Sequence, residues 1–354
     1  MALFSVSNVR LSGVSGTIPV TEISNFDYKW ISMKERELLV KMTGIEKRRV
    51  VPGLRTLTAS DLCFTAAEKL IQELGWDKND IDLLIFISQS RDYSLPTTST
   101  ILQDRLGLPH TCMTLDICLG CSAYVYGLSV IGSMMQSGMI KKSLLLVGDI
   151  STLSTSYRDK SAYPLFGDAG TASAFEYDPE APAIHFNLMS DGSGYDAIII
   201  PDGGLRNWYD RKKSFIYKKF DTGIYRTPLN VHLDGIKVFS FSLREVAPNA
   251  RELLKYCNKT IEEADYVVLH QANKLINESI RKKLKIPEDR LPYTIHKYGN
   301  TSCSSIPVTL VSELQKQLRS GHLKMLLSGF GVGLSWGSVW IETDHVVVPD
   351  IIEM

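Results

Sequence analysis

The sequence predicts an α/β protein in which short buried strands alternate with amphipathic helices. Short apolar runs bordered by polar residues or glycine are typical of buried strands, and they occupy residues 83–88, 143–148, 266–270 and 324–329. Apolar residues recur at helical spacing over residues 59–74, 123–137 and 246–256. Strands and helices that alternate in this way indicate an α/β fold.

The composition indicates an ordinary globular chain with two domain-sized units. Of its 354 residues, 44% are hydrophobic and 22% are charged, and domains usually span about 100–200 residues. The proline-bearing stretch YDPEAP at residues 177–182 predicts a boundary that divides the chain into residues 1–178 and 179–354. Each part has a helix before a strand and a later strand that ends in glycine. This repeated order of elements indicates an internal duplication, although any two α/β segments share such features.

Charge and hydrophobicity exclude several classes of partner. Lysine plus arginine and aspartate plus glutamate number 39 each, so there is no overall basic field for a nucleic acid. The amino terminus does not resemble a signal peptide, and no apolar run is long enough to span a bilayer. We therefore expect a cytoplasmic protein without a membrane partner, whose six scattered cysteines are thiols.

Cys121 is the first candidate for chemistry. It lies in LDICLGCSAYVY, residues 115–126, where a strand is followed by small residues and a helix. The backbone N–H groups of a helix start favour a thiolate, so the position predicts a lowered thiol pKa and a nucleophile. Taken alone, however, the segment is better explained by a cysteine that only packs in the core. Cys118 completes a C-x-x-C pair, which leaves a redox dithiol open, whereas a zinc site lacks its second pair.

Three further segments carry polar residues or glycine beside predicted strands. His270 ends a buried strand in LHQANKLI, where ligands bind in parallel sheets, although a structural histidine is as consistent with this segment. Asn300 follows glycine in YGNTSCSSIP, a position also typical of a turn or helix cap. The run GFGVGLSWG, residues 329–337, joins two strands and lacks the lysine and helix of a phosphate loop.

Together these segments resemble ketoacyl-ACP synthase III and its relatives in the thiolase superfamily. Three more stretches share the resemblance: MTGIEKRRVV at 42–51, LFGDAGTASAF at 165–175 and LDGIKVFSF at 233–241. The resemblance implies a five-layered αβαβα thiolase fold built from two similar halves, with Cys121 in the first and His270 and Asn300 in the second. It also implies a homodimer that uses acyl-CoA or acyl-ACP thioesters as substrates, without a cofactor or a metal.

The resemblance further implies a decarboxylative Claisen condensation in fatty acid or specialised polyketide biosynthesis. Cys121 would carry the acyl group, and acyl carrier protein would present malonyl. His270 and Asn300 would donate hydrogen bonds to the enolate that forms when CO2 leaves. The backbone N–H groups of Cys121 and Val332 would form the oxyanion hole. Val332 replaces the usual glycine, which keeps the donor but restricts the loop.

Departures from the family pattern concern the substrate. Family members that use acyl-CoA hold its adenine between a tryptophan and an arginine, which align with Leu38 and Met42, and a second arginine aligns with Leu275 beside Lys274. We therefore predict poor use of short acyl-CoA primers. Leu95 aligns with a residue, often phenylalanine, that closes the acyl pocket of the dimer partner. No residue is assigned to cofactor binding.

Alternative functions stay open at this point. The acyl group on Cys121 could pass to a hydroxyl or amine without a new carbon–carbon bond, or the chain could be a non-catalytic partner subunit of a heterodimeric synthase. Hydroxymethylglutaryl-CoA synthases need a glutamate, and the corresponding stretch SRDYSLPT at 90–97 offers only Asp92. A function as a hydroxymethylglutaryl-CoA synthase is therefore disfavoured.

Overall fold

The computed structural model of the chain describes residues 2–54 and 56–354. The strands in chain order are β1 Ala2–Val6, β2 Val9–Ile18, β3 Glu22–Ser24, β4 Lys47–Arg49, β5 Leu83–Ile87, β6 Met113–Ile117, β7 Lys142–Asp149, β8 Ala169–Tyr177, β9 Ile184–Ser190, β10 Ile198–Ile199, β11 Lys218–Asp221, β12 Ile224–Arg226, β13 His232–Leu233, β14 Tyr266–Leu269, β15 Leu323–Gly331, β16 Ser335–Thr343 and β17 Ile352–Glu353. The α-helices are α1 Met33–Thr43, α2 Ala59–Leu74, α3 Thr98–Arg105, α4 Ala123–Met135, α5 Gly235–Tyr256, α6 Lys274–Leu284, α7 Ile295–Tyr298, α8 Ser305–Glu313 and α9 Gln315–Ser320.

Two large sheets repeat the same strand order. The first sheet runs β17-β2-β8-β7-β5-β6, and the second runs β1-β9-β16-β15-β14. In the first, β5 is parallel to β7, β7 is antiparallel to β8, and β8 is antiparallel to β2. In the second, β14, β15, β16 and β9 follow one another with the same directions. The predicted duplication is therefore confirmed in the topology of the sheets.

Helices and sheets form five layers. Helix α2 packs on the outer face of the first sheet, α4 and α8 lie between the sheets, and α5 and α6 cover the second sheet. This is the predicted αβαβα thiolase arrangement. The central helices bury residues from both sheets in one core, which includes Leu145, Val147, Ile306, Leu310, Met325 and Leu327. A shared core of this kind fixes the two halves against each other.

The chain termini cross between the halves. Strand β1 adds to the second sheet beside β9, and β17 adds to the first sheet beside β2. The boundary at residue 178 lies between β8 and β9 and stays a prediction. Within the described ranges, no helix has both the length and the apolarity needed to cross a membrane.

The predicted elements near the cavity are present with small shifts at their ends. Helix α2 has the predicted bounds, and each of the four predicted strands ends within two residues of its prediction. The prediction for α5 was too short, because the helix begins at Gly235 and not at residue 246. Asp234 caps it by accepting from the Lys237 N–H. The first helical turns of α5, residues 235–245, are partly exposed to solvent, so apolar periodicity does not predict them as helix.

Candidate active site

Four predicted site residues line one cavity of about 340 Å³: Cys121, His270, Asn300 and Val332. The cavity lies where strands of both sheets end. The lining residue Asp149 closes β7, His270 directly follows β14, and Gly331 closes β15. Carboxyl ends of parallel strands form binding crevices in α/β sheets. The shared core therefore brings together side chains that are far apart in the sequence.

Cys121 lies in the turn between β6 and α4. Its side chain is buried, and the second half of the molecule packs directly against it at Gly331. A Cβ at Gly331 would lie 2.6 Å from the Cys121 Cβ and 2.8 Å from its Sγ, closer than heavy atoms of neighbouring side chains approach. Glycine is therefore required at this contact. The Val332 side chain, in turn, fills the space that a Cβ at Gly120 would need.

The thiol pKa of Cys121 is governed by burial. Burial raises the pKa of the Cys121 thiol to about 11, and the charge of Asp149 adds to this rise. The backbone N–H groups of Val332 and of Cys121 itself lower the pKa, as does the Ser302 hydroxyl. The prediction of a lowered thiol pKa was therefore wrong. The N–H groups act in the predicted direction, but burial outweighs them.

His270 is buried and neutral. Burial lowers the pKa of His270 to about 3, against the opposing effect of the Ser302 backbone carbonyl. Its Nδ1 lies 2.7 Å from the Ser305 Oγ, and that oxygen also accepts from the Gln271 N–H at 3.3 Å. The Ser305 hydroxyl can therefore donate its own proton to Nδ1, and in this tautomer the imidazole proton lies on Nε2. The ring is thus oriented as a neutral hydrogen-bond donor.

Asn300 is held by both its backbone and its side-chain oxygen. The Asn300 N–H donates to the Leu165 carbonyl at 2.9 Å, and the Gly167 N–H donates to the Asn300 carbonyl at 3.0 Å. The Oδ1 accepts from the Ser302 N–H at 2.9 Å. These bonds use the backbone groups and Oδ1, so the Nδ2 amide of this cavity-lining residue is the group left to donate to a ligand. Ser302 adopts a left-handed φ of 52° to make its contact.

Of two further residues from the sequence analysis, Leu95 lies apart from this cavity and Cys118 lines it. Leu95 is 86% exposed and does not line the cavity of its own chain, so its contact with a partner stays a prediction. Cys118 is exposed, whereas Cys121 is buried, and both are free thiols. Because both thiols line the same cavity, the redox dithiol stays a hypothesis.

Residues that sequence reasoning missed support the predicted ones. Ser302 and Ser305 belong to the quoted segment YGNTSCSSIP, but no periodicity links them to Cys121 or His270. Asp149 is fully buried and its Oδ1 accepts from the Ser88 Oγ at 3.0 Å and the Gln89 N–H at 2.8 Å. An acidic residue directly at the end of the strand LLLVGD was the available signal. Among the described residues, no group of three or more His, Cys, Asp or Glu side chains is placed to hold a metal.

Two family models match the chain. The model of 3-oxoacyl-[acyl-carrier-protein] synthase III matches residues 115–192, which include Cys121. The model of the C-terminal part of the same family matches residues 254–343, which include His270, Asn300 and Val332.

Relatives and solved structures extend the match over nearly the whole chain. The beta-ketoacyl-[acyl-carrier-protein] synthase III of Clostridium tetani is 30% identical over 94% of this chain and 98% of its own. The Geobacillus kaustophilus enzyme of that name is 29% identical over 92% and 96%. The crystal structure of a 3-oxoacyl-(acyl-carrier protein) synthase from Burkholderia xenovorans superimposes with a TM-score of 0.92, at 34% identity and 99% coverage of both chains. The chain therefore belongs to the 3-oxoacyl-[acyl-carrier-protein] synthase III family of the thiolase superfamily and is a condensing enzyme of the acyltransferase class.

Proposed function

We propose that the protein loads an acyl group onto Cys121 and condenses it with malonyl carried on acyl carrier protein, with loss of CO2. One observation carries the proposal. A buried thiol that faces two backbone N–H groups shares a cavity with a neutral imidazole N–H and a free amide N–H. These are the nucleophile and the two sets of donors that the reaction requires.

In the first half-reaction, the Cys121 sulfur attacks the carbonyl carbon of an acyl thioester. A bond forms between that carbon and Sγ, the bond to the donor sulfur breaks, and the thiol proton leaves with the donor thiol. The backbone N–H groups of Cys121 and Val332 stabilise the oxyanion of the tetrahedral intermediate. The raised pKa keeps the Cys121 thiol protonated at neutral pH, so the thiol proton leaves as the sulfur attacks.

In the second half-reaction, the malonyl group loses CO2 and its electron pair moves onto the thioester oxygen as an enolate. The His270 Nε2 and the Asn300 Nδ2 donate hydrogen bonds to this oxygen. Because His270 stays neutral, it acts as a dipolar donor with no proton transfer. The enolate carbon then attacks the acyl carbon on Cys121, the bond to Sγ breaks, and the released thiolate regains a proton from solvent.

The rim of the molecule supports carrier protein as the acyl donor. Leu38 and Met42 on α1 and Leu275 on α6 are all exposed, and α1 packs against α6. These side chains offer neither a guanidinium nor an aromatic ring to an adenine. We therefore propose that the chain accepts acyl-ACP in preference to short acyl-CoA.

The edge of the first sheet supports a homodimer. Strand β6 is the last strand of that sheet, and it carries the exposed apolar residues Met113 and Leu115. Uncovered edges of this kind invite pairing with a second copy. The exposed Leu95 would then reach the acyl pocket of the partner. We expect light scattering to give a dimer, Leu115→Lys to give monomers, and cell fractionation to recover the protein from the cytoplasm, either free or bound at the membrane surface.

The experiment combines intact-protein mass spectrometry with CO2 release. Wild type and Cys121→Ala are incubated with matched acyl-ACP and acyl-CoA series, and then with carboxyl-labelled malonyl-ACP. We expect an adduct on wild type alone, faster loading from acyl-ACP, and labelled CO2 in step with the β-ketoacyl product. Transfer to hydroxyl or amine acceptors without CO2 would contradict the condensation. Failure to form any adduct would instead support a partner subunit.

A further inference from the structure

A surface segment of residues 204–222, here named the basic-aromatic segment, has no role in the chemistry proposed above. It contains six basic residues, Arg206, Arg211, Lys212, Lys213, Lys218 and Lys219, and two acidic ones, Asp210 and Asp221, for a local net charge of 6 − 2 = +4. The whole chain has a net charge of zero. Positive charge is therefore concentrated at this segment.

Large apolar side chains are exposed between these basic residues. Leu205 is 92% exposed and Trp208 is 61% exposed. Five more are about half exposed: Tyr209, Phe215, Ile216, Tyr217 and Phe220. Single exposed apolar residues are common on protein surfaces, but a contiguous cluster of this size indicates an interaction site.

The segment is held in a defined conformation. The Ser214 hydroxyl is buried and donates to the Asp202 Oδ2 at 2.6 Å, while the Asp210 N–H donates to the Ser214 Oγ at 2.9 Å. The segment then enters the β11–β12 hairpin, where the Arg226 guanidinium lies 4.4 Å from the Phe220 ring centroid. The apolar side chains are thus presented outward by an ordered backbone.

The basic side chains are almost all available for a ligand. Within the part of the chain that the structure describes, Lys213 pairs with Asp210 at 3.8 Å, and the other five basic residues of the segment form no ion pair. The segment lies next to the catalytic cavity, because residues on both sides of it in the chain line that cavity: Ile198 and Ile200 before it and Val231 after it. Whatever binds the segment therefore lies beside the cavity mouth.

We propose that the basic-aromatic segment docks the protein on an anionic membrane surface. Lysine is depleted at protein–protein interfaces, whereas clustered lysines near apolar anchors suit a layer of lipid phosphates that imposes no fixed geometry. Tryptophan, tyrosine and phenylalanine partition into the interfacial region of a bilayer. The expectation of no membrane partner rested on the lack of a spanning run, and peripheral docking needs none.

The test is co-sedimentation of the full chain with vesicles, without any acyl donor, so that its outcome is independent of the catalytic proposal. Vesicles of phosphatidylglycerol and phosphatidylcholine in equal parts are compared with phosphatidylcholine alone. We expect binding to the anionic vesicles only. The variant K212Q/K213Q/K218Q should bind about tenfold more weakly or worse, and Trp208→Ser with Phe215→Ser should also bind about tenfold more weakly.

A matched variant controls for charge alone. K282Q/K283Q/K285Q removes the same number of positive charges at the end of α6, and it should bind within about twofold of wild type. Equal losses in both lysine variants, or no binding by wild type, would overturn the proposal. Light scattering tests whether a second copy of the chain covers the segment instead. If W208S/F215S converts dimers to monomers, the segment is a dimer interface and the membrane proposal fails. Thermal melts confirm that each variant is folded.

Discussion

Each half of the molecule brings a strand, a turn and a helix to the cavity, but the two turns lie at different places in the repeat, since β14 corresponds to β5 and not to β6, and they carry different chemistry. In the first half, β6 leads through Cys121 into α4. In the second, β14 leads through His270 into α6. Backbone N–H groups face the Cys121 sulfur, whereas the Ser305 hydroxyl holds the His270 ring.

This difference indicates a division of labour on a repeated scaffold. Backbone donors suit an oxyanion that forms at one fixed point, since they cannot rotate away. A side chain whose proton is placed by a neighbouring hydroxyl suits an enolate delivered by a second substrate. The duplicated fold supplies the positions, and the residues in the turns supply the chemistry. The predictions on acyl loading and CO2 release below perturb one half and ask whether the other still works, and the others test the buried state of His270 and Cys121.

The largest effect is expected at Gly331, where the second half touches the nucleophile of the first. Gly331→Ala would place a Cβ against the Cys121 side chain, so the loop that carries the Val332 N–H must move. We expect acyl loading of Cys121 to fall about 100-fold or more, since an oxyanion donor is displaced. The rate of adduct formation by mass spectrometry measures this effect.

The control for that change is Gly192→Ala, because a Cβ at Gly192 has no neighbour within 4 Å. This variant should load at the wild-type rate. Normal loading by Gly331→Ala would show that the loop adjusts without loss of the donor, and the proposed oxyanion hole would then be wrong.

A smaller effect is expected at Ser305, which acts only through His270. Ser305→Ala removes the hydroxyl that places the imidazole proton on Nε2. We expect CO2 release from malonyl-ACP to fall about tenfold, while loading of Cys121 stays within about twofold. Ser304→Ala alters the neighbouring residue, whose hydroxyl donates to the Thr301 carbonyl, and should spare CO2 release. A fall in loading with Ser305→Ala would break the proposed separation of the halves.

The buried neutral His270 also predicts a pH dependence of stability. Its folded pKa of about 3 lies below the ordinary value of 6.5. Below pH 6.5 the unfolded chain therefore binds a proton that the folded chain does not, and stability falls. This should cost about 2 kcal/mol of unfolding free energy at pH 5.

Urea unfolding at neutral pH and at pH 5 measures that loss. His270→Asn should remove about that much of the difference between the two pH values, whereas His345→Asn, at an exposed position, should leave the difference unchanged. An unaltered difference in His270→Asn would mean that His270 is not a buried neutral group.

The smallest effect concerns the reactivity of the two thiols, Cys118 and Cys121, toward an alkylating reagent. Cys118 is exposed, while Cys121 is buried with a thiol pKa of about 11. Iodoacetamide at neutral pH should therefore modify Cys118 before Cys121, and the Cys121 rate should rise steeply in alkaline buffer. Peptide mapping of the modified protein gives the order. Faster modification of Cys121 would restore the lowered pKa predicted from its helix-start position.

Sequence reasoning singled out Cys121, His270 and Asn300 because each lies near a predicted strand end or helix start, and the family resemblance assigned their proposed roles; the structure places all three on one cavity. It did not assign Ser305, since the contact with His270 spans 35 residues and depends on how α8 packs between the sheets. Sequence reasoning also predicted the wrong direction for the pKa shift of the Cys121 thiol, which is raised and not lowered. Helix-start N–H groups are visible in a local segment, but the burial that outweighs them comes from the other half of the chain, through Gly331.

The most direct test of the proposed division of labour separates the two half-reactions in His270→Ala and Asn300→Ala. Acyl loading of Cys121 is followed by intact mass, and labelled CO2 from malonyl-ACP is counted in the same samples. We predict loading within a few-fold of wild type and CO2 release lower by about 100-fold or more in both variants. Loss of loading together with CO2 release would contradict the assignment of the enolate donors to the second half.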